Sequence, residues 1–263
     1  HSFPTRRSSD LTGPDPITAS MTPAMTDLND LLIRPQHLRT MPRLVVFDWD
    51  GTLADSTGRI VIAFQQALAE VDHPPLADEA IKGIIGLSLA NAIAELFPEA
   101  KQDFREALAQ AYHRCYFANE EPVALYPEAE TLLKTLGEAG CLLAVATGKS
   151  RRGLDRALAQ TGTADYFHHT LTAEETRSKP HPDMLEGILD FTGSRPNETW
   201  MVGDTDFDLL MGRNAGTHAI GITHGAHPRE RLAAARPDWL IERLAQLHDG
   251  EWRPAEPSEP PAV

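Results

Sequence analysis

The chain has 263 residues, 41% of them hydrophobic, enough for one large domain, or a domain with a smaller insertion, around a core of its own. Lys and Arg total 24 against 38 Asp and Glu, a formal charge of -14, which argues against a general binder of nucleic acid or anionic membrane because both are polyanions. Two cysteines, Cys115 and Cys141, lie far apart without paired spacing and indicate neither a disulfide framework nor a thiolate metal site.

Residues 1 to 40 carry little apolar periodicity and many Ser, Thr, Pro and Arg, so they are expected to lie outside the fold. The opening string HSFPTRRSSDL, residues 1–11, resembles an in-frame translation of a sequencing-library adapter, which makes Met41 the expected natural start, with Met21 and Met25 as alternatives. Leu44-Val45-Val46-Phe47 is then an apolar, β-branched run that stops at Asp48. Similar buried-strand runs recur at Leu142 to Ala146, Thr199 to Val202 and His218 to Ile222. Amphipathic helices are predicted between and after them at Pro127 to about Ala139, Ser150 to about Thr161, Pro182 to about Phe191 and Asp206 to about Asn214. Such alternation predicts an α/β fold with a doubly wound parallel sheet.

One region departs from the alternation. From Gly58 to Val123 there is no strand pattern, but Ile60, Phe64, Ala67, Leu68 and Val71, then Leu89, Ile93 and Leu96, then Phe104, Leu108 and Tyr112 recur at helical spacing. The expected organisation is a core of residues 41–57 and 124–248, a helical cap over 58–123 inserted after the first strand, and a Pro- and Glu-rich disordered tail over 249–263. No apolar run approaches the roughly 20 residues of a membrane span, and no basic segment leads an apolar stretch and cleavage site, so a cytoplasmic location is expected.

Ligands of open α/β sheets bind beyond the carboxyl ends of the strands. The residues there are Asp48-Trp49-Asp50-Gly51-Thr52, Thr147-Gly148-Lys149 and Gly203-Asp204-Thr205-Asp206-Phe207-Asp208, with Lys179-Pro180 in the connection before the Thr199 strand. A lone Asp-x-Asp is common in turns. Four such signatures in this order, each in its strand context, resemble the haloacid dehalogenase superfamily over about residues 43–247, and their agreement is far more specific than any one motif. The resemblance implies a Rossmann-like core, a magnesium-dependent phosphatase and a small phosphorylated metabolite as substrate.

The chemistry also stands on the residues themselves. A phosphate ester repels nucleophiles by its charge, so attack requires neutralisation and in-line placement. Magnesium prefers carboxylates, carbonyls, water and phosphate oxygens, and Asp48 and Asp204 are the carboxylates expected on it. The resemblance adds the main-chain carbonyl of Asp50 and a supporting role for Asp208. Asp48 is the expected nucleophile, forming a transient aspartyl-phosphate, and Asp50 the acid and base, its pKa raised by neighbouring negative charge. Lys179 is expected on nucleophile and phosphate; the Thr147 hydroxyl, Lys149 and amides near Gly51, Thr52 and Gly148 are expected on phosphate oxygens.

Asp50 also separates phosphoryl transfer from carbon-halogen cleavage, since dehalogenases of the superfamily replace this second Asp; Thr52 is a weaker cue for phosphatases over sugar phosphomutases. The phrase FDWDGTLADS from Phe47 to Ser56, the helical cap and KPHPD from Lys179 to Asp183 look most like phosphoglycolate phosphatases, with Trp49 a small departure from the usual Leu or Met. The ester stays open among 2-phosphoglycolate as first choice, pyrophosphate and sugar phosphates, with a mutase or a non-catalytic binding protein on the same core as further readings. Specificity is expected in the cap around Gly86, Leu87 and Ser88. The 11 histidines, among them His168, His169, His181, His218, His224 and His227, lack the helical pairing of zinc sites and are not expected to hold metal. Oligomeric state is not readable.

Overall fold

A computed structural model describes residues 28–118 and 121–248. The adapter-like string, Met21, Met25 and the tail from 249 lie outside the described residues.

Six strands form one sheet in the order β3-β2-β1-β4-β5-β6, all parallel. They are β1 Leu44–Phe47, β2 Leu142–Thr147, β3 His169–Thr172, β4 Thr199–Gly203, β5 His218–Ile222 and β6 Trp239–Ile241. Alternate residues sort onto two faces, as the period of a strand requires. Val45, Phe47, Leu143, Val145, Trp200 and Val202 pack with α5 (Ala129–Glu138) and α6 (Arg151–Thr161) on one side. Leu44, Val46, Ala144, Ala146 and Met201 meet α7 (Asp183–Thr192) and α8 (Asp206–Asn214) on the other.

Strands β3 and β6 escape the sequence pattern for physical reasons. His-Thr-Leu-Thr at the sheet edge has little apolar content, and β6 has only three residues, too short for a period to register.

Between β1 and β2 the chain forms a helical unit with its own core: α1 Thr57–Glu70, α2 Asp78–Lys82, α3 Leu89–Leu96 and α4 Gln102–Ala118, with Phe64, Leu68, Ile81, Ile93 and Leu108 buried against one another. Its two connections to the sheet run side by side, Asp55 N donating to Ala124 O and Tyr126 N to Leu53 O, each at 2.9 Å.

The expectation that everything up to residue 40 lies outside the fold is corrected for residues 28–40. Leu38 is fully buried, Leu31 and Leu32 pack on the cluster around Leu209 and Leu240, and Arg34 lies over the rings of Trp200 and Trp239 at 5.5 and 5.3 Å. Single apolar residues spaced by short 3-10 turns carry no period, which is why the segment looked structureless.

Candidate active site

The predicted chemistry-bearing residues converge at the carboxyl ends of the strands, beneath the helical cap. β1 ends in a tight turn in which Gly51 adopts φ +81°, and a Cβ there would collide with the Asp204 carboxylate. Only glycine lets the β1 turn and the β4 end approach so closely. Thr52 Oγ1 donates to Asp204 Oδ1 at 2.7 Å and Ala226 N to Asp204 Oδ2 at 2.7 Å, so the carboxylate is fixed from both sides.

Asp48, Asp204 and Asp208 are buried, and oxygens of all three lie within 4.8 Å of one another. Lys179 Nζ, equally buried, is 2.8 Å from Asp48 Oδ1 and 2.6 Å from Asp208 Oδ1. Thr205 caps α8 and holds Asp208 Oδ2 through its hydroxyl at 2.6 Å and its amide at 3.1 Å, leaving Oδ1 to face the lysine.

Three carboxylates share one ammonium, so charge is unbalanced. Burial pushes the Asp48 carboxyl up to about 7 despite Lys179, with Asp208 and Asp50 pushing the same way. Burial, then Asp48 and Asp208, hold Asp204 well above the usual carboxylate range. Burial disfavours the charged form of Lys179, but Asp208 and Asp48 outweigh it and raise its pKa. Asp48 Oδ2 is buried and accepts no hydrogen bond. Buried carboxylates ordinarily have partners, and an oxygen-only set of this kind with an orphaned acceptor fits a hard divalent cation.

Asp50 is placed differently from expectation. Its closest charged neighbour is a cation: Lys149 Nζ lies 2.9 and 3.0 Å from its two oxygens, and Ser56 Oγ donates to Oδ1 at 2.6 Å. Lys149 also donates to Tyr116 Oη of α4 at 3.1 Å, so it joins core to cap. Burial opposes its charge, but Asp50 and then Tyr116 raise its pKa, so it stays an ammonium. The amides of Gly51 and Thr52, expected on phosphate, donate instead to Ala54 O and Trp49 O at 2.8 and 3.3 Å, because the turn closes on itself. The Thr147 hydroxyl accepts from Lys149 N at 3.3 Å and, with Gly148, lines the cavity above Asp48 and Asp50.

Ser56 and Tyr116 were missed as functional residues. Ser56 stands at the end of the quoted FDWDGTLADS phrase, a local signal, whereas nothing in sequence separates Tyr116 from the other aromatics of α4. Trp49 packs behind the turn, buried and edge-on to Phe167. Of the histidines, His168 Nδ1 accepts from Leu143 N, His227 Nδ1 accepts from Asp206 N, and His113 lines the rim of the cavity. His37, His218 and Asp238 do come together, but His218 begins β5 and so marks the opposite end of the sheet.

A parallel sheet with a buried lysine and a cluster of buried aspartates at its strand ends, beneath a helical cap, frames the candidate active site. Residues 45–222 match the family model described as haloacid dehalogenase-like hydrolase, and the chain belongs to that family. It is 32% identical over 216 residues to a phosphoglycolate phosphatase of Vibrio vulnificus, covering 79% of this chain and 95% of that one. It is also 32% identical over 207 residues to the pyrophosphatase PpaX of Bacillus pumilus, covering 77% and 93%. The solved structure of a haloacid dehalogenase-like hydrolase from Bacteroides fragilis superposes with a TM-score of 0.72 at 27% identity, covering 78% of this chain and 99% of that one. The chain is thus an enzyme of the phosphatase type. No helix among the described residues is long and apolar enough to cross a membrane.

Proposed function

We propose that the protein hydrolyses a small phosphate monoester through a covalent intermediate on Asp48, in the cytoplasm, with magnesium as its metal. The observation that carries the reading is the buried cluster itself, in which Asp48 keeps an oxygen without a hydrogen bond beside Lys179, Asp204 and Asp208. Asp48, Asp204 and the Asp50 main-chain carbonyl would hold the magnesium ion, with Asp208 supporting through Lys179. The ion supplies positive charge that lets a carboxylate approach a phosphate dianion.

Asp48 attacks phosphorus, the ester P–O bond breaks, and the leaving oxygen takes a proton from Asp50. Water then attacks the aspartyl-phosphate, Asp50 takes its proton, and phosphate leaves with Asp48 restored. Ester and water become alcohol and phosphate. Lys179 keeps the nucleophile oriented and offsets the phosphate charge, and the Thr147 hydroxyl and Gly148 amide donate to phosphate oxygens. Lys149 bonds Asp50 and lines the same cavity, and its move toward an incoming phosphate would free Asp50 to exchange its proton.

The test is phosphate release by the full chain, with magnesium, on 2-phosphoglycolate, pyrophosphate, several sugar phosphates and simple alkyl phosphates, beside Asp48→Asn. Turnover that needs metal and is lost in the variant is the expected result. A variant as active as the parent would remove Asp48 as nucleophile.

A further inference from the structure

The space above Asp48 and Asp50 is a cavity of about 360 Å³, within the range of small-molecule sites. Core residues supply one wall and the cap the other. The cap wall is largely apolar: Ile60 and Phe64 of α1, Ile84 and Leu87 of the loop between α2 and α3, and Ala92 of α3 line it. Polar side chains contributed by the cap are the neutral hydroxyls of Ser88, Tyr112 and Tyr116, the last already bonded to Lys149, and the His113 imidazole at the rim.

Charge sharpens the picture. Among the described residues no Arg lines this cavity, and Lys149, which does, is paired with Asp50. His113 stands at the exposed rim, and Glu174 adds a carboxylate there. Arg152, near that rim, stacks on the Phe117 ring at 5.0 Å. A leaving group bearing its own carboxylate would therefore be taken from water into an apolar wall with no cation committed to it, an arrangement that is strongly unfavourable. An uncharged hydrocarbon leaving group would gain from the same wall.

We propose that the substrate is a phosphate monoester whose leaving group is uncharged and predominantly apolar, of aryl-methyl or branched-alkyl size, rather than a phosphorylated carboxylic acid such as 2-phosphoglycolate. This rests on the phosphatase reading above and deepens it. The cap loop that supplies Leu87 sits directly on the phosphate side of the site: a Cβ on Gly148 would lie 2.5 Å from the Gly86 and Leu87 carbonyl oxygens. The apolar wall is thereby fixed against the leaving group rather than remote from it.

The experiment compares kcat/KM of the full chain on benzyl phosphate and 3-methylbutyl phosphate with that on 2-phosphoglycolate, all esters of weakly acidic alcohols. The apolar esters should be preferred by about 100-fold, as expected where one partner leaves a charge unpaired. Leu87→Arg should move the ratio at least tenfold toward 2-phosphoglycolate by providing the missing cation. Equal or reversed preference in the parent overturns the proposal while leaving the phosphatase reading intact. If no ester turns over, that reading fails, and calorimetric affinities of Asp48→Asn for benzyl phosphate and 2-phosphoglycolate still decide the cavity's preference: about tenfold tighter binding of the benzyl ester supports it, and equal or absent binding overturns it.

Discussion

Asp50 is held by three polar contacts from two side chains, and the least conspicuous of these, Ser56 Oγ at 2.6 Å, belongs to the residue immediately before the cap domain's first helix. A hydrogen bond to a charged group contributes about 1.5–3 kcal/mol, and in the proposed reaction it would aim the oxygen that meets the leaving group. Ser56→Ala should lower kcat about tenfold with KM little changed, measured by steady-state phosphate release. An unchanged kcat would mean that Lys149 alone orients Asp50. The same residue scale explains why site residues of one chemical type divide in role: Asp48 faces an orphaned space, Asp204 is pinned by Thr52 and Ala226, and Asp208 is turned by Thr205 toward Lys179.

At the scale of elements, the cap meets the core through backbone contacts that tolerate little change. Gly148 lies so close to the 86–87 loop that a methyl would press on two main-chain carbonyls, which cannot rotate away as a side chain could. Gly148→Ala should raise KM at least about tenfold by holding the cap open, with the thermal midpoint shifted by no more than a few degrees because the contact lies between the two units. Loss of stability without a change in KM would show that the loop merely packs there. Arg231 of α9 (Arg229–Ala234) adds a second bridge, donating to Asp206 at 2.8 and 3.0 Å and to Gly83 O of the cap at 3.1 Å. The segment before β1 packs beside β6. Trp239 Nε1 donates to Leu32 O at 3.3 Å, and Leu38 is buried in the core. A protein begun at Met41 should therefore lose about 2 kcal/mol or more and melt about 5 °C or more below the full chain, from the burial of Leu38 alone. Equal midpoints in thermal unfolding would return residues 28–40 to the status of an appendage.

Across the whole molecule, a net charge of -14 surrounds a centre in which three buried carboxylates face one lysine. A divalent cation held there would relieve that imbalance, and if it binds the folded chain alone, magnesium at about 100 times its dissociation constant should stabilise by about 2.7 kcal/mol. Differential scanning calorimetry should show a higher midpoint with magnesium, reversed by a chelator and much reduced in Asp204→Asn. No shift in the parent protein would argue against a metal among these aspartates.

Strand runs, intervening helices and the order of the four motifs were legible because each is a local pattern: a period of two or 3.6, a cap, a residue type at a strand end. From them followed the parallel α/β core, the inserted helical unit and the gathering of Asp48, Asp50, Thr147, Lys179, Asp204 and Asp208. What only the tertiary structure decided were relations between distant residues. Lys149 lies on Asp50, the Gly51 and Thr52 amides are used inside their own turn, and Tyr116 reaches Lys149 from another unit. Short or half-polar β6 and β3, and the anchoring of Leu38, also depend on neighbours brought together by folding, because too few residues repeat within each segment to announce its burial.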